Sequence, residues 1–298
     1  MVINNIQIFV YEDKSEMSNG ALEFLIDKIR EKPNIVLGGA TGSTPVIFYE
    51  GLRNRIENDK IDLFDVKMVF LDEYFSRVNY HNYTRKHLQP GKTPKSVKEK
   101  NIFIPRVCFY DEYDKLVSST ELEEILKDNP SDFVERGPEI SIKDFVNNPV
   151  LMSIKESCEK YEKIIDDLVI NYQILGIGVE GHIGFNERGT SENSLTHLTR
   201  LAESTIKSNS GDFLDGVSAY FAVTQGIKTI AKSKNRMLLA SGKSKQDAIY
   251  DLIYGEISPN NPSTYLRNMG NTFIFLDKEA SAKLDLDEIK LRNILIKS

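Results

Sequence analysis

Residues 175–190 read Leu-Gly-Ile-Gly-Val-Glu-Gly-His-Ile-Gly-Phe-Asn-Glu-Arg-Gly-Thr. The apolar run 173–177 at their start predicts a short buried strand, and the glycines after it permit positive φ angles and a close approach to a ligand. Glu180, His182 and Glu187 are therefore predicted to emerge at the carboxyl end of a strand, which is the edge where open α/β sheets bind ligands.

The three ionisable side chains of this turn indicate proton-transfer chemistry. A histidine with neighbouring carboxylates can exchange protons near neutral pH. The alternative interpretation is a glycine-rich turn that carries a solvated charge cluster, which this segment alone leaves open. A metal site is not predicted, because the chain has no His-Glu-x-x-His helix and no thiolate beside this histidine.

Apolar runs separated by helix-length segments recur along the chain and predict a largely parallel sheet. Residues 22–29 and residues 154–168 each place apolar side chains on one helical face, and Pro45 is suited to the first turn of another helix. Strands that alternate with helices imply βαβ units. The predicted strands are residues 35–39, 68–71, 173–177, 219–223, 237–240 and 272–276.

Residues 108–149 depart from this alternation. They are rich in Asp, Glu, Ser and Pro, with weak apolar periodicity around Leu122, Ile125 and Leu126. We interpret them as an insertion in a single domain of residues 1–298. Two roles are open, a lid or subunit contact and a solvated surface excursion, of which the second is favoured because loops tolerate insertions at low cost.

Composition restricts the classes of partner. The net charge of −6 over 298 residues and the lack of long basic runs argue against nucleic acid or an anionic membrane as the main partner. Cys108 and Cys158 have no disulfide-like or metal-like spacing, which favours a reducing compartment, and we expect the cytoplasm. No segment approaches the roughly 20 apolar residues of a membrane helix, and no targeting segment is recognised.

A second glycine-rich segment, residues 38–45, reads Gly-Gly-Ala-Thr-Gly-Ser-Thr-Pro after a predicted strand and before a predicted helix. Backbone N–H groups, hydroxyls and the positive end of the helix would converge there on a phosphate. The segment matches neither a Walker A loop nor a dinucleotide loop, so a small phosphorylated substrate is favoured over ATP or NAD. The alternative is a tight turn in which Ser and Thr cap the helix.

Asp72 and Glu73 follow the predicted strand 68–71, again at a carboxyl end. One of them could serve as a base, although acids at this position are as often helix caps or solvated turn residues. The remaining histidines, His81, His87 and His197, lie in polar segments and are interpreted as ordinary surface residues.

Taken together, these segments resemble the glucosamine-6-phosphate deaminase family, also called the glucosamine-6-phosphate isomerases. The resemblance covers most of the chain. The Phe-Asn-Glu ending of the histidine turn separates this family from the related 6-phosphogluconolactonases. The matching segments are residues 39–45, the Leu-Asp-Glu-Tyr at 71–74, the Gly-His-Ile-Gly-Phe-Asn-Glu at 181–187, the Ser-Gly-Lys-Ser-Lys at 241–245, and residues 262–263.

The resemblance implies a Rossmann-like, three-layer α/β/α fold and conversion of an aldose 2-amino-2-deoxy 6-phosphate to a ketose 6-phosphate with release of ammonia. It implies no metal and no other cofactor, and it leaves a homo-oligomer open. His182 would open the sugar ring, Glu187 and Glu180 would orient its imidazole, and Asp72 would move a proton between C2 and C1. The phosphate would be held by Thr41, Gly42, Ser43, Thr44 and Lys245.

The chain departs from the family pattern at three positions. Glu180 stands where the family usually has Asp, Arg188 replaces a Pro, and Gly211 falls where a phosphate-binding Arg is usual. Lys245 would then carry more of the phosphate binding unless Arg200 or Lys207 substitutes.

These departures leave two alternative functions open. One is an isomerase or deaminase for another hexosamine phosphate, and the other is a sugar-phosphate sensor without turnover. The joint presence of Asp72, His182 and Glu187 favours an enzyme. His197 and Thr199 stand where allosterically activated members carry basic residues, so effector binding is not expected.

Overall fold

Parallel strands flanked by helices form the centre of the protein. The structure, a computed structural model, describes residues 6–41, 45–58, 60–77, 83, 85–208, 219–291 and 295–297. The strands are β1 (Ile6–Tyr11), β2 (Val36–Gly39), β3 (Lys67–Phe70), β4 (Asp72–Tyr74), β5 (Ile102–Phe103), β6 (Phe133–Arg136), β7 (Glu139–Ile142), β8 (Tyr172–Leu175), β9 (His197–Arg200), β10 (Phe221–Thr224), β11 (Asn235–Ala240), β12 (Thr272–Asp277) and β13 (Leu295–Lys297). The helices are α1 (Lys14–Glu31), α2 (Val46–Glu57), α3 (Ser119–Asp128), α4 (Pro149–Leu168), α5 (Glu203–Ser208), α6 (Ile227–Ala231), α7 (Gln246–Tyr254), α8 (Lys278–Ser281) and α9 (Leu286–Leu291), with 3₁₀ turns at Glu99–Asn101, Lys243–Lys245 and Pro262–Asn268.

The main sheet has eight strands in the order β13-β1-β12-β11-β8-β2-β3-β5, and its strand pairs are parallel. The predicted Rossmann-like α/β fold with a mostly parallel sheet is confirmed. Two of the helices predicted from apolar stripes are α1 and α4, and the side chains of those stripes are buried or partly buried. Each helix begins where a short polar side chain accepts backbone N–H groups, Asp13 for α1 and Asn148 for α4.

The order of the main sheet reverses between β2 and β8. From β2 the chain continues outward through β3 and β5, and from β8 it continues in the other direction through β11 and β12. Gly38 lies where these two central strands meet, since a Cβ there would come within 2.1 Å of Oε1 of Gln173. In open α/β sheets a reversal of this kind leaves a crevice at the carboxyl ends, and ligands bind in it.

A second sheet is antiparallel and has the order β4-β10-β9-β7-β6. The predicted strand 219–223 corresponds to β10 and belongs to this sheet rather than to the parallel one. A short apolar run does not reveal the direction or the partner of a strand, because both depend on segments distant in sequence. The second sheet begins at Asp72, directly after β3, so it starts at the carboxyl edge of the main sheet.

Residues 108–149 supply α3, β6 and β7. Leu122, Leu126 and Ile140 from this segment are buried in one apolar cluster with Leu151 and Ile154 of α4. The preference for a solvated surface excursion is therefore wrong for these residues, which form part of a packed core. The division of the chain into a single domain with an insertion stays a prediction. Within the described residues, no helix is long and apolar enough to cross a membrane.

The cluster around α3 gives a stability prediction. Leu122→Ala removes a fully buried side chain, so we expect the free energy of unfolding to fall by about 2–5 kcal/mol. Phe145→Ser in the same segment is the control, because Phe145 is 97 % exposed and its replacement should change stability by less than about 0.5 kcal/mol. Denaturant unfolding of both variants measures the difference, and equal small effects would mean that the segment contributes no packed core.

Candidate active site

Four neighbouring strands, β11, β8, β2 and β3, place the predicted motifs at one edge of the sheet. The turn with Lys245 follows β11, the histidine turn follows β8, Thr41 follows β2, and Asp72 follows β3. Because all four strands run in the same direction, their carboxyl ends lie side by side. Segments that are up to about 200 residues apart in sequence therefore meet at the reversal between β2 and β8.

His182 and Glu187 form a close pair within the histidine turn. Nδ1 of His182 lies 3.1 Å from Oε2 of Glu187. The turn closes through a hydrogen bond from the Gly178 N–H to the His182 carbonyl at 2.9 Å. A Cβ at position 178 would lie 2.3 Å from the imidazole ring, so any residue other than glycine would displace the ring. The turn thus holds the imidazole against its own backbone and directs Nδ1 to the carboxylate.

The carboxylate of Glu187 is almost completely buried, with 2 % of the residue exposed. Its other oxygen, Oε1, accepts a hydrogen bond from the Thr205 hydroxyl at 2.6 Å and one from the Ala202 N–H at 3.4 Å. Burial alone would raise the pKa of Glu187, but the contacts with His182, Thr205 and Ala202 outweigh it and lower the pKa below its usual value. Glu187 is therefore held ionised beside the imidazole.

Asp72 lies against the same turn. It is 2 % exposed and pairs with Thr224 across the antiparallel ladder of β4 and β10. Gly184, at φ +58°, gives it room, since a Cβ at that position would lie 3.2 Å from Oδ2 of Asp72 and 3.0 Å from Oγ1 of Thr224. The Thr224 hydroxyl also accepts the Phe185 N–H at 3.2 Å, which ties the turn to β10, the strand that pairs with the one carrying Asp72.

The neighbouring acid, Glu73, is also buried, and its Oε1 accepts the backbone N–H of Tyr74 at 2.8 Å. Successive side chains of a strand point to opposite faces, so Asp72 and Glu73 cannot both face the turn. Burial raises the pKa of the Tyr161 hydroxyl of α4, and the charge of Asp72 raises it further. The Tyr161 hydroxyl donates to the Phe70 carbonyl at 2.5 Å and lies 3.1 Å from the Phe103 carbonyl, so it contacts the ends of both β3 and β5.

Lys245 is a partly buried cation at the same edge. Burial lowers the pKa of its ammonium group, and it forms no ion pair with any carboxylate in the described part of the chain. The turn before it is held by Asp277, whose two carboxylate oxygens accept the Gly242 N–H at 3.1 and 3.0 Å. A desolvated cation without a partner favours the binding of an anion.

Of the other predicted phosphate ligands, the structure describes Thr41 but not the three residues after it. Thr41 is half-buried at the carboxyl end of β2, next to the histidine turn in the sheet order. Gly42, Ser43 and Thr44 lie outside the described residues, and so does Gly211. Tyr49 of α2 exchanges two hydrogen bonds with the backbone of Ala40, so this strand end is fixed just before the predicted cradle.

Glu180 differs from its predicted role. Its side chain is exposed and forms no ion pair with His182, although both residues are described. Instead it lines a surface cavity of about 410 Å³ together with Arg188 and Asn261. The predicted pairing of Glu180 with the imidazole is wrong for this geometry. Gly181, which lies between the two residues, has a positive φ of +80°.

Arg200 does not replace the missing phosphate-binding arginine. Its guanidinium is paired with Glu123 of α3 and with Glu135 of β6, the latter at 3.1 Å, and it lies over the ring of Phe221. It therefore joins the second sheet to residues 108–149 rather than facing the crevice. Lys207 is exposed on α5 and also has a partner.

The interpretation of His87 and His197 as surface residues is wrong. His87 is buried beside Glu50 at 3.4 Å, and His197 is buried in β9 with Nδ1 2.7 Å from the Leu195 carbonyl. Burial lowers the pKa of both imidazoles. Polar neighbours in sequence suggested exposure, whereas tertiary packing covers both rings. His81 lies outside the described residues.

The sequence did not predict that Thr205 contacts Glu187. It donates to Glu187 from 18 residues further along the chain. A threonine in a short polar segment carries no signal for such a contact, because the approach of α5 to the turn depends on the tertiary fold. Within the described residues, no group of three or more His, Cys, Asp or Glu side chains is arranged to hold a metal ion.

Comparison with known proteins places these features in a family. The chain is 34 % identical over 283 residues to a glucosamine-6-phosphate deaminase of Clostridium botulinum (strain Kyoto / Type A2), and 33 % identical over 283 residues to that of Clostridium novyi (strain NT). Each alignment covers 94 % of this chain and 100 % of the relative. No family model matches the chain.

Comparison with solved structures supports the same family. A monomeric glucosamine-6-phosphate deaminase of the NagB superfamily superposes with a TM-score of 0.73 at 30 % identity, covering 93 % of this chain and 99 % of that one. A 6-phosphogluconolactonase from Trypanosoma cruzi, with a TM-score of 0.66 at 19 % identity over 96 % of this chain and 98 % of its own, shares the fold. Identity above 30 % over nearly the whole length, together with the His182–Glu187 turn and Asp72 at one sheet edge, shows that this chain belongs to the glucosamine-6-phosphate deaminase family.

Proposed function

We propose that this chain is an enzyme that converts glucosamine 6-phosphate to fructose 6-phosphate and ammonia. The observation that carries the proposal is the His182–Glu187 pair at 3.1 Å, set beside the buried carboxylate of Asp72 at the crevice between β2 and β8. An imidazole with an ionised partner and a second carboxylate are the acid and base groups that isomerisation next to a carbonyl requires.

The first step of the proposed reaction opens the sugar ring. His182 transfers a proton from the C1 hydroxyl to the ring oxygen, which releases the aldehyde. Glu187 stabilises the charged form of the imidazole while it carries that proton, in the same way that a buried carboxylate supports histidine in other general acid–base sites. Because Nδ1 contacts Glu187, we assign the proton transfer to Nε2.

The second step moves a proton along the open chain. Asp72 removes the proton from C2 while the aldehyde oxygen takes up a proton released by the ammonium group at C2, and an enolamine forms between C1 and C2. Return of the proton to C1 gives an imine at C2, which water hydrolyses to the ketone and ammonia. Only this last step is a hydrolysis, so the enzyme combines an isomerase half-reaction with a hydrolytic one. The ring opening and the isomerisation are proton transfers, which the acid and base groups of the site can carry out.

We propose that the phosphate of the substrate lies between Lys245 and the glycine-rich segment that contains Thr41. Support comes from the partial burial of the ammonium group and from the position of both residues at the same sheet edge. Restraint of the phosphate would hold C1 and C2 against the catalytic groups. The net charge of −6 argues against nucleic acid as a partner, and the two free cysteines support a cytoplasmic location.

A panel of hexosamine 6-phosphates tests the proposal. We expect ammonia release to be fastest with glucosamine 6-phosphate, accompanied by an equal amount of fructose 6-phosphate. Faster turnover of another hexosamine phosphate would reassign the substrate. Tight binding of one compound without ammonia release from any of them would replace the enzyme by a sugar-phosphate sensor.

Asp72→Asn keeps the size of the side chain but cannot accept the C2 proton. We expect kcat to fall by about two orders of magnitude or more, with substrate binding largely kept. Glu73→Gln is the matched control, because that carboxylate belongs to the opposite face of β4. Steady-state kinetics of both variants locate the base, and wild-type turnover in Asp72→Asn would remove Asp72 from the mechanism.

Glu187→Gln and Glu180→Gln separate the two acids of the histidine turn. Because the pKa of Glu187 is lowered, its charge is present at neutral pH and is lost as the pH falls through that depressed value, so wild-type kcat/KM should decline there. Glu187→Gln should lower kcat by roughly a hundredfold and change this acid limb. Glu180→Gln should change kcat by less than about threefold and leave the acid limb in place, since Glu180 is exposed and apart from the imidazole. Larger losses in Glu180→Gln would restore the role predicted for it.

Lys245→Ala should weaken binding of the phosphorylated sugar. A charge-assisted contact is typically worth about 1.5–3 kcal/mol, which corresponds to a roughly ten- to hundredfold rise in KM with a smaller change in kcat. Lys243→Ala is the control, because this lysine lies in the same 3₁₀ turn but is exposed. An unchanged KM in Lys245→Ala would mean that the phosphate binds elsewhere.

A further inference from the structure

We propose that Thr205 is a positioning residue for the catalytic pair, whose hydroxyl holds the Glu187 carboxylate so that its second oxygen faces His182. The inference rests on the proposed function of the site and extends it to a residue on a different element. Its hydroxyl bonds to the Glu187 carboxylate, so we expect Thr205 to act on the imidazole through Glu187.

The geometry divides the two oxygens of Glu187 between two tasks. Oε1 accepts the Thr205 hydroxyl at 2.6 Å, and Oε2 lies 3.1 Å from Nδ1 of His182. The second donor to Oε1, the Ala202 N–H at 3.4 Å, is long for a hydrogen bond. Without the hydroxyl, Oε1 would keep only this weak contact, and the carboxylate would lose the bond that fixes its rotation.

Burial makes this single hydroxyl important. Thr205 and Glu187 are each 2 % exposed, so water does not replace a lost donor at low cost. Among the described residues, three groups act on this carboxylate: His182 of the turn, Thr205 of α5, and the N–H of Ala202, which directly precedes α5. Of these, only the imidazole can carry a charge. Thr205 is thus the neutral donor that keeps Glu187 ionised without adding a competing charge.

The contact also connects the turn to the second sheet. α5 follows β9 directly, and the Leu201 N–H between them donates to the Tyr220 carbonyl at 2.9 Å, next to β10. β10 in turn pairs with the strand that carries Asp72. The hydroxyl of Thr205 therefore ties the His182–Glu187 pair to the same antiparallel ladder that positions the proposed base.

The experiment compares Thr205→Val, which is nearly isosteric but has no hydroxyl, with Thr205→Ser, which keeps the donor. The readout is the pH profile of kcat and kcat/KM for ammonia release from glucosamine 6-phosphate. In Thr205→Val we expect the acid limb to move to higher pH by about one unit, because a buried carboxylate that loses a hydrogen bond is protonated more easily. kcat at low pH should fall with little change in KM, and Thr205→Ser should keep the wild-type limb.

Thr190→Val is the matched control. The Thr190 hydroxyl is also fully buried and also bonds to Glu187, but to its backbone carbonyl at 2.8 Å rather than to the carboxylate. Its loss should lower stability while leaving the acid limb in place. Thermal unfolding of each variant records that cost separately.

Three results would overturn the inference: an unchanged acid limb in Thr205→Val, an equal shift in Thr205→Ser, or the same shift in Thr190→Val. If Thr205→Val does not fold, Thr205→Ala against Thr205→Ser makes the same comparison. Carbon-13 NMR titration of the Glu187 carboxyl, assigned with Glu187→Gln, needs no turnover. A raised Glu187 pKa in Thr205→Val would support the positioning role even if the wild-type chain released no ammonia, whereas normal ammonia release with an unmoved Glu187 pKa would reject it.

Discussion

The close packing of β2 against β8 is the constraint on which the site depends. Gly38 lets the two strands meet, because any side chain there would collide with Gln173. The sheet reverses its order at this contact, and the loops after β2 and β8 therefore face each other across a crevice. The candidate phosphate cradle and the histidine turn are brought together by the sheet and not by their own sequences.

The fold must also keep the buried carboxylate of Glu187 ionised. Removing Glu187 from water disfavours its charge, and three contacts reverse that effect, from His182, Thr205 and the backbone of Ala202. The contact from His182 comes from the turn after β8, and the other two come from α5 and the residue before it, which follow β9. The electrostatic state of the turn consequently depends on the packing of the second sheet against the first.

The second sheet has a direct part in the site. β4 begins at Asp72 and pairs with β10, while Thr224 of β10 accepts the Phe185 N–H from the histidine turn. Residues 108–149 complete this sheet through β6 and β7, and Arg200 pairs with acids from that segment. Arg200, the candidate substitute for the missing phosphate-binding arginine, instead holds this sheet together.

The sequence by itself determined the alternating elements, the parallel sheet and the positions of Asp72, His182 and Glu187 at strand ends, because periodicity and glycine-rich turns are local signals. It did not determine which strands joined the antiparallel sheet, that His197 is buried, or that Glu180 turns away from the imidazole. Only the tertiary structure decided these features, and it alone brought Thr205 to Glu187, since each depends on contacts between segments distant in sequence.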